Sequence, residues 1–434
     1  MTVSIIGAGY VGLVSGACLA ALGHDVVCID SSPERVAELN CGRVPIFEPG
    51  LDELVRANVA AGRLSFSTEV AHVASGPRMV MLAVGTPSRC DGRAALDQLL
   101  AAVRDISPTL CEGTVIVTKS TVPIGTGDQI AALLQQLRPD IAVSVASNPE
   151  FLREGFAIED FSNPDRIIIG VEDEVAKEAL MRLYEGMTRG GAPLLVMNRR
   201  TAELTKYVAN SFLAVKVGFI NEIADLCEKV GANVDEVAFG IGYDHRIGPT
   251  FLNAGPGFGG SCFPKDCRAL INTANDHGGT LPIIEQVIHA NDARKHNIAR
   301  KVQAQLGGSV RGATIAILGL AFKANTDDMR ESPAVDIINA LEYWGANIRA
   351  YDPAAIVHAR RLLAPTVTYA DTVYDCACGA DAAVIVTDWP EFKAIDLKRM
   401  QSVMRRPNLV DLRNVFQPQK VRELGFVYDS VGRL

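Results

Sequence analysis

The sequence predicts an α/β protein: two doubly wound α/β domains joined by a central helical region with one long helix. Three observations carry this. The chain opens on a β-branched apolar run, a glycine-rich turn and an apolar helical run, "TVSIIGAGYVGLVSGACLAALG". The segment from Thr201 to Gly231 keeps helical periodicity without a proline. A second strand–turn–helix–strand pattern begins near residue 312.

The first pattern is the most informative. "TVSII" fits a buried parallel strand, and "DVVCID" fits its parallel neighbour. Between them, Gly7, Gly9 and Gly12 form G-x-G-x-x-G. The first glycine permits the tight turn, the second lets backbone approach a pyrophosphate, and the third lets helix and strand pack closely. A helix start at this point aims free N–H groups at phosphates. Asp30, ending the second strand, is placed to accept from a ribose 2′-hydroxyl, which favours NAD over NADP. A glycine turn alone is weak evidence; the strand–turn–helix context with the acidic residue gives it force.

Further strands are expected in "RMVMLAVGTP", "TVIVTKSTVP" and "IAVSVASNPEF". Each ends in small polar residues, and ligands of open α/β sheets bind beyond the carboxyl ends of strands. Thr86, Thr121 and the segment from Asn148 are therefore expected to line one crevice. In the long helix, Lys206 and Asn210 are four apart and share a face. Leu204, Val208, Ala209, Phe212 and Leu213 along it are apolar, so the Lys206–Asn210 face is expected to point into a cleft. In the C-terminal pattern, "ATIAILGLAFK" reads as strand and turn, "SPAVDIINALEYWG" as a helix, and "NIRAYDP", "DAAVIVTDW" and "NLVDLRN" as strands. This part lacks G-x-G-x-x-G and suits a nucleotide site that is not an NAD site.

Composition excludes several classes. A net charge of -8 with no basic run argues against nucleic-acid binding. The N-terminus is apolar, but its first cationic side chain is Arg35, so it does not read as a secretory signal. No stretch reaches the roughly 18 apolar residues that span a bilayer. A cytoplasmic location is expected. The 10 cysteines show no zinc spacing and no small-disulfide framework, so no metal site is expected.

One cysteine stands apart. Cys262 lies in "GFGGSCFPKD", where glycines let backbone come close to a ligand. A buried structural thiol needs no such setting; a nucleophile beside a substrate does.

"GAGYVG", "KSTVPIGTG", "NPEFLREG", "ELTKYVANSFLAVKVGFINE", "RIGPTFLNAGPGFGGSCFPKD" and "GLAFKANTDDMRES" follow one another at compatible spacing. In series they resemble the UDP-glucose 6-dehydrogenases, within the wider UDP-glucose/GDP-mannose dehydrogenase family, from near residue 1 to about residue 430. The resemblance implies two Rossmann-like domains: an NAD-binding one over 1–200 and a UDP-sugar-binding one over 301–434. A helical, dimerising region over 201–300 joins them. It implies two successive NAD-dependent oxidations at C6 of UDP-glucose, from alcohol to carboxylate, with Cys262 forming a thiohemiacetal and then a thioester.

The same resemblance implies the other roles. Lys206 and Asn210 would stabilise charge at the C6 oxygen. Asp266 would act with Lys206 and a water in proton transfer. Thr121, Glu150 and Glu154 would border the reacting centre, and the sequence leaves open which glutamate helps water attack the thioester. NAD would meet Gly7, Gly9, Val11, Gly12, Asp30, Arg35, Thr86, Thr121, Glu154, Lys265 and Arg330. The sugar nucleotide would meet Glu150, Phe151, Leu152 and Arg153; Lys206 and Asn210; Phe251, Leu252, Asn253, Ala254 and Gly255; Gly259 and Lys323. Arg246 would reach a partner's site in a homodimer. Two positions depart from relatives, Ala95 and Cys267, and neither touches the catalytic set. Alternatives are the same chemistry on GDP-mannose or a UDP-N-acetylhexosamine, a single-step NAD-dependent dehydrogenase, and a non-catalytic NAD or thiol redox sensor.

Overall fold

A computed structural model describes residues 1–72, 79–89 and 91–433. The chain divides into two units, Met1–Ala209 with Asn272–Gly278, and Asn210–Ile271 with Gly279–Leu434.

The first unit is built on a sheet of eight strands: β1 (Thr2–Ile6), β2 (Asp25–Ile29), β3 (Leu64–Ser67), β4 (Met79–Leu82), β5 (Val115–Thr118), β6 (Ser144–Ser147), β7 (Ile167–Gly170) and β8 (Leu194–Met197). Their order is β3-β2-β1-β4-β5-β6-β7-β8. The pairs from β3 to β6 are parallel, as a doubly wound sheet requires, and β7 runs antiparallel to β6. Both faces are covered. Val3, Ile5, Met79, Met81 and Val117 belong to one core, and Ile6, Val80, Leu82 and Ile116 to another. This period-2 division of continuous apolar runs is what a sheet buried on both sides produces. The strand expected from "RMVMLAVGTP" is β4; Arg78, which opens that run, lies outside the described residues.

The helix Tyr10–Ala21 follows the glycine turn directly. The long helix spans Arg199–Val230, close to its expected bounds. Its start is tied down by Glu203, whose carboxylate accepts from the Gly125 and Gly127 N–H groups at 2.6 and 2.8 Å. The Lys206–Asn210 face was expected to point into a cleft because its neighbours are apolar; both residues are buried, but three of those neighbours are not. Leu204, Val208 and Phe212 are exposed, at 40%, 48% and 62%. Two residues along a helix is a rotation of about 200°, so 204, 208 and 212 face away from 206 and 210.

The second unit repeats the sheet. Strands β9 (Thr314–Leu318), β10 (Asn347–Tyr351), β11 (Thr368–Tyr369), β12 (Ala382–Ile385), β13 (Asn408–Asp411) and β14 (Val427–Ser430) lie in the order β11-β10-β9-β12-β13-β14. This is the order of the first six strands of the other sheet, and every pair is parallel. Even the first turn is rebuilt. Gly7 donates to Ile29 O at 2.7 Å, and Gly319 donates to Tyr351 O at 2.8 Å. Asp30 accepts from the Ala8 N–H at 2.7 Å, and Asp352 accepts from the Leu320 N–H at 2.7 Å.

Candidate active site

In the first unit the glycine turn has the shape its sequence implies. Gly7 sits at φ 101. A Cβ on Gly12 would lie 1.9 Å from the Gly7 carbonyl oxygen, so only glycine lets the helix sit this close to the turn. A Cβ on Gly9 would meet nothing within 4 Å. Gly9 is also the N-cap of the Tyr10–Ala21 helix, with no side chain capping it. A free helix start with open space above a glycine fits a pyrophosphate. Asp30, 6% exposed, closes the turn. Arg35 Nη1 donates to its two oxygens at 3.1 and 2.9 Å, from a side chain that is 41% exposed. Val11 lies in the first turn of that helix.

Thr86 and Thr121 follow β4 and β5, and Thr86 Oγ1 donates to the Thr121 carbonyl at 2.7 Å. Asn148, by contrast, turns inward and is 1% exposed. Its Nδ2 donates to Ile168 O at 2.8 Å, and its Oδ1 accepts from Lys119 Nζ at 3.1 Å and from Tyr184 Oη at 2.5 Å. It supports the loop that follows, and together with Lys119, Glu150 and Phe151 it lines a small pocket.

That loop carries Glu150 to Glu154. Glu150 Oε1 lies 3.2 Å from Lys206 Nζ, with side chains 7% and 4% exposed. Its other oxygen accepts from the Leu152 N–H at 2.6 Å. Lys206 Nζ also lies 5.2 Å from the Phe151 ring centre. Arg153 is bound to Asp160 at 2.6 Å. Glu154 is close enough to Tyr10 for its charge to help raise that phenol, after burial and Glu48. Two buried groups here were missed from sequence. Glu48 accepts from Tyr10 of the glycine turn and from the Gly155 and Ala157 N–H groups at 2.6 and 2.7 Å, joining the turn to the glutamate loop. The "FEPG" around it was the available signal. Lys119, 5% exposed, stands inside "KSTVP", a motif read only for its threonine.

Burial pushes Lys119 down to about 8; Glu150 opposes the shift and Lys206 adds to it. The sign follows from the direction. Between about 8 and the ordinary lysine value of 10.5, the unfolded chain holds a proton that the folded chain has lost, so stability rises with pH across that window. The shift corresponds to about 3 kcal/mol of burial cost at neutral pH. Lys119→Met is therefore expected to raise the unfolding free energy at pH 7 by up to about 3 kcal/mol, with the gain shrinking towards pH 10. Asn148 Oδ1 keeps Tyr184 as its donor in that variant. Urea unfolding at the two pH values checks this; a loss of stability at pH 7 contradicts it.

The second unit holds the remaining candidates. Asn210 Nδ2 donates to Asp266 Oδ2 at 2.6 Å, and Lys265 Nζ donates to Asp266 Oδ1 at 2.7 Å. Asp266 is 1% exposed, and each of its oxygens accepts one of these two hydrogen bonds. Cys262 is half-buried, with its Sγ 3.5 Å from Ser261 Oγ. Cys267, one turn along, is fully buried beside Ala214, Phe258 and Ile288, and burial pushes its thiol up to about 11. Phe251 takes φ 64, and Leu252 and Ala254 are buried while Asn253 is exposed. Gly255 donates to Asn221 Oδ1 at 2.8 Å, and a Cβ on it would meet the Arg413 guanidinium at 3.3 Å. Gly259 packs on the Glu331 carbonyl. Lys323 Nζ lies 5.4 Å from the Phe322 ring centre. Arg330 is bound to Asp328 at 2.8 Å and is 67% exposed. Arg246 is bound to Asp244 at 2.6 Å and is 79% exposed.

A glycine-turn doubly wound sheet with a buried lysine–glutamate pair, and a second such sheet beside a thiol loop, define a dinucleotide-dependent dehydrogenase architecture with two nucleotide-type domains. The chain belongs to the UDP-glucose/GDP-mannose dehydrogenase family. Residues 1–188 match its NAD binding domain, 200–293 its central domain and 316–418 its UDP binding domain. The chain is 52% identical to a UDP-glucose 6-dehydrogenase of Rhizobium meliloti over 100% of both chains. Among solved structures it is similar to a UDP-glucose dehydrogenase of Pyrobaculum islandicum, with TM-score 0.91 and 39% identity over 100% of this chain and 98% of the other. It is also similar to a UDP-D-ManNAc dehydrogenase of Pyrococcus horikoshii, with TM-score 0.87 and 28% identity over 100% and 99%.

Proposed function

We propose that this protein oxidises UDP-glucose at C6 to UDP-glucuronate with two NAD per sugar. The full-length 52% identity to a UDP-glucose 6-dehydrogenase carries the choice of substrate. NAD, when bound at the glycine turn, is the acceptor for both hydrides. Gly7, Gly9, Val11, Gly12, Asp30, Arg35, Thr86 and Thr121 would hold it, with Glu154, Lys265 and Arg330 as further contacts.

The chain's own groups supply the rest. Asp266, with Lys206 and a water, takes the proton of the C6 hydroxyl as the first hydride leaves, giving an aldehyde. The Cys262 sulfur then bonds to C6, the carbonyl opens, and the thiol proton passes to the oxygen. Loss of the second hydride from C6 and of the hydroxyl proton leaves a thioester. Water, oriented by Glu150 or Glu154, adds to C6; the C–S bond breaks and the sulfur regains a proton. Lys206 and Asn210 face the oxygen on which negative charge develops. Phe151 to Arg153, Phe251 to Gly255, Gly259 and Lys323 hold the sugar nucleotide, Lys323 as a point charge for phosphate.

The wider assignments are part of the same proposal. The organisation is an NAD-binding part over 1–200, a helical part over 201–300 and a UDP-sugar part over 301–434. The working form is a cytoplasmic homodimer in which Arg246 reaches the partner's site. Exposed Phe212, Phe219, Leu226 and Val230 on the long helix, at 62%, 49%, 51% and 65%, supply an apolar seam for a second copy. Among the described residues no helix is long and apolar enough to cross a membrane. Light scattering tests the dimer, and a monomer mass overturns it.

The decisive experiment is the NADH yield from limiting sugar nucleotide. Two NADH per UDP-glucose are expected. One per sugar overturns the four-electron reading in favour of a simple dehydrogenase. Two from GDP-mannose or a UDP-N-acetylhexosamine, with none from UDP-glucose, moves the substrate.

A further inference from the structure

The loop that carries Cys262 is rich in glycine, and glycine backbone has little conformational preference of its own. Its shape must come from what surrounds it. Four observations, all within the second unit, identify the surroundings.

Asn291, 4% exposed, pairs with Phe258 as another backbone would. Its Oδ1 accepts from the Phe258 N–H at 2.8 Å and its Nδ2 donates to the Phe258 carbonyl at 3.0 Å. Lys295, one turn further along the Pro282–Asn297 helix, lies under Gly257; a Cβ there would meet its Cγ at 3.0 Å. Lys295 Nζ, on a side chain only 4% exposed, is 2.9 Å from Glu331 Oε2, 3.4 Å from Asp292 and 3.7 Å from Asp336. Glu331 then reaches the loop in two ways. Its carbonyl oxygen occupies the space a Gly259 side chain would need, 2.2 Å from that Cβ, while the Arg330 carbonyl accepts from the Gly260 N–H at 2.8 Å. Its Oε1 accepts from Arg268 at 2.9 Å, on the helix that starts at Phe263, directly after the thiol. Glu331 is held at φ 53, a backbone region that non-glycine residues seldom adopt.

We propose that Glu331 and Lys295 are positioning residues for Cys262: an ion pair between buried Lys295 and the 38%-exposed Glu331 that grips the thiol loop before and after the nucleophile and holds the sulfur in line with C6. The inference rests on the reading of Cys262 as nucleophile. Burial pulls Lys295 down, but its bonds to Glu331, Asp336 and Asp292 outweigh this and hold it above the ordinary lysine value. Burial pulls Glu331 up, but Lys295 and Arg268 outweigh it and hold the carboxyl below its ordinary value. Glu331 thus stabilises the fold above its unfolded pKa and loses this as pH falls. Lys295 stabilises it below the unfolded lysine pKa and loses this as pH rises. The pair stays charged across the neutral range.

The two oxidations separate this role from general support. Removal of hydride from the alcohol needs no sulfur; oxidation of the aldehyde does. A displacement of about 1 Å at a reacting group costs about a hundredfold. In rapid mixing with the full-length protein and NAD, Lys295→Met/Glu331→Met is expected to slow oxidation of the UDP-linked 6-aldehyde at least about tenfold. The first NADH phase from UDP-glucose should stay within about threefold of wild type. Lys295→Arg, which keeps the ion pair, should restore the aldehyde step. Alkylation of Cys262 by iodoacetamide, followed on its own peptide, should change rate in the double variant and recover in Lys295→Arg. If the double variant does not fold, Glu331→Gln decides alone by the same two rates. Aldehyde oxidation at the wild-type rate overturns the proposal. So does a parallel loss of both steps that Lys295→Arg does not repair. Cys262→Ser runs beside these variants. If it oxidises the aldehyde normally, the nucleophile reading is what fails; if it does not and the pair variants do, only the pair fails.

Discussion

Cys262→Ser is expected to abolish steady turnover of UDP-glucose, by on the order of a thousandfold or more, which is about 4 kcal/mol of barrier. The reason is chemical. A thiol adds to an aldehyde and leaves from a carboxylic derivative readily, so it divides the second oxidation into two accessible steps. A serine hydroxyl at the same place is a weaker nucleophile at neutral pH and a poorer leaving group. The first hydride transfer does not depend on sulfur, so a rapid-mixing trace should keep its first NADH phase. Aldehyde trapping should then recover a sugar oxidised by two electrons rather than four. Steady production of two NADH per sugar by the variant would remove Cys262 from the mechanism. The neighbouring thiol offers no substitute: Cys267 is fully buried, with its pKa raised to about 11.

Lys206→Ala is expected to damage both activity and stability, and the two losses are separable. Removing a cation that faces a developing oxyanion costs on the order of 10²–10³ in kcat. Removing it also leaves Glu150, 7% exposed, without its partner at 3.2 Å. An orphaned buried charge typically costs about 3–5 kcal/mol. The nearby charge of Lys119 puts the expectation at the low end, about 3 kcal/mol. Lys206→Ala/Glu150→Gln buries no unpaired charge from this pair. It should regain most of the stability while staying as inactive as the single variant. Urea unfolding and kcat on the same samples test this. A double variant no more stable than the single one would show that the pair is not what holds the loop.

The opening βαβ unit was fully legible, because each of its parts is a local requirement: a buried strand, a left-handed glycine, a close-packed glycine, a terminal carboxylate. β3, β7, β8, β11 and β14 were not picked out. β8 and β11 are only partly buried, and β11 is two residues long, so little marks them; β7, Ile167–Gly170, is apolar and fully buried and was missed although its sequence marks it. The candidate residues were legible as motifs, but their pairings were not. Nothing local tells Glu150 that it meets Lys206, or Asn210 that it meets Asp266, since each pair is brought together by the fold across 56 positions. The long helix shows a subtler limit. Lys206 and Asn210 are buried there, but three of the five apolar neighbours taken as evidence, Leu204, Val208 and Phe212, lie on the opposite side. Lys119 was overlooked because lysine reads as a surface residue unless its surroundings are seen.

The two sheets share one turn, and comparing the copies works as an internal control written into a single gene product. Both keep a left-handed glycine, Gly7 at φ 101 and Gly319 at φ 98, and a buried aspartate that binds the turn's backbone. Asp352 goes further, accepting from the Leu320, Ala321, Ala354 and Ala355 N–H groups and from Trp389, so its lone pairs are spent on the protein itself. Gly9 and Gly12 have no counterparts there. In the second copy the helix does not start at the turn but at Pro333, and residues 320–332 fill the interval. What the copies have in common is what the architecture demands; what only one has is what a ligand demands. On that reckoning the interval holding Lys323, Arg330 and Glu331 is not a connecting loop. It is where the second sheet's unit departs from the first while Gly319 and Asp352 still secure the bend.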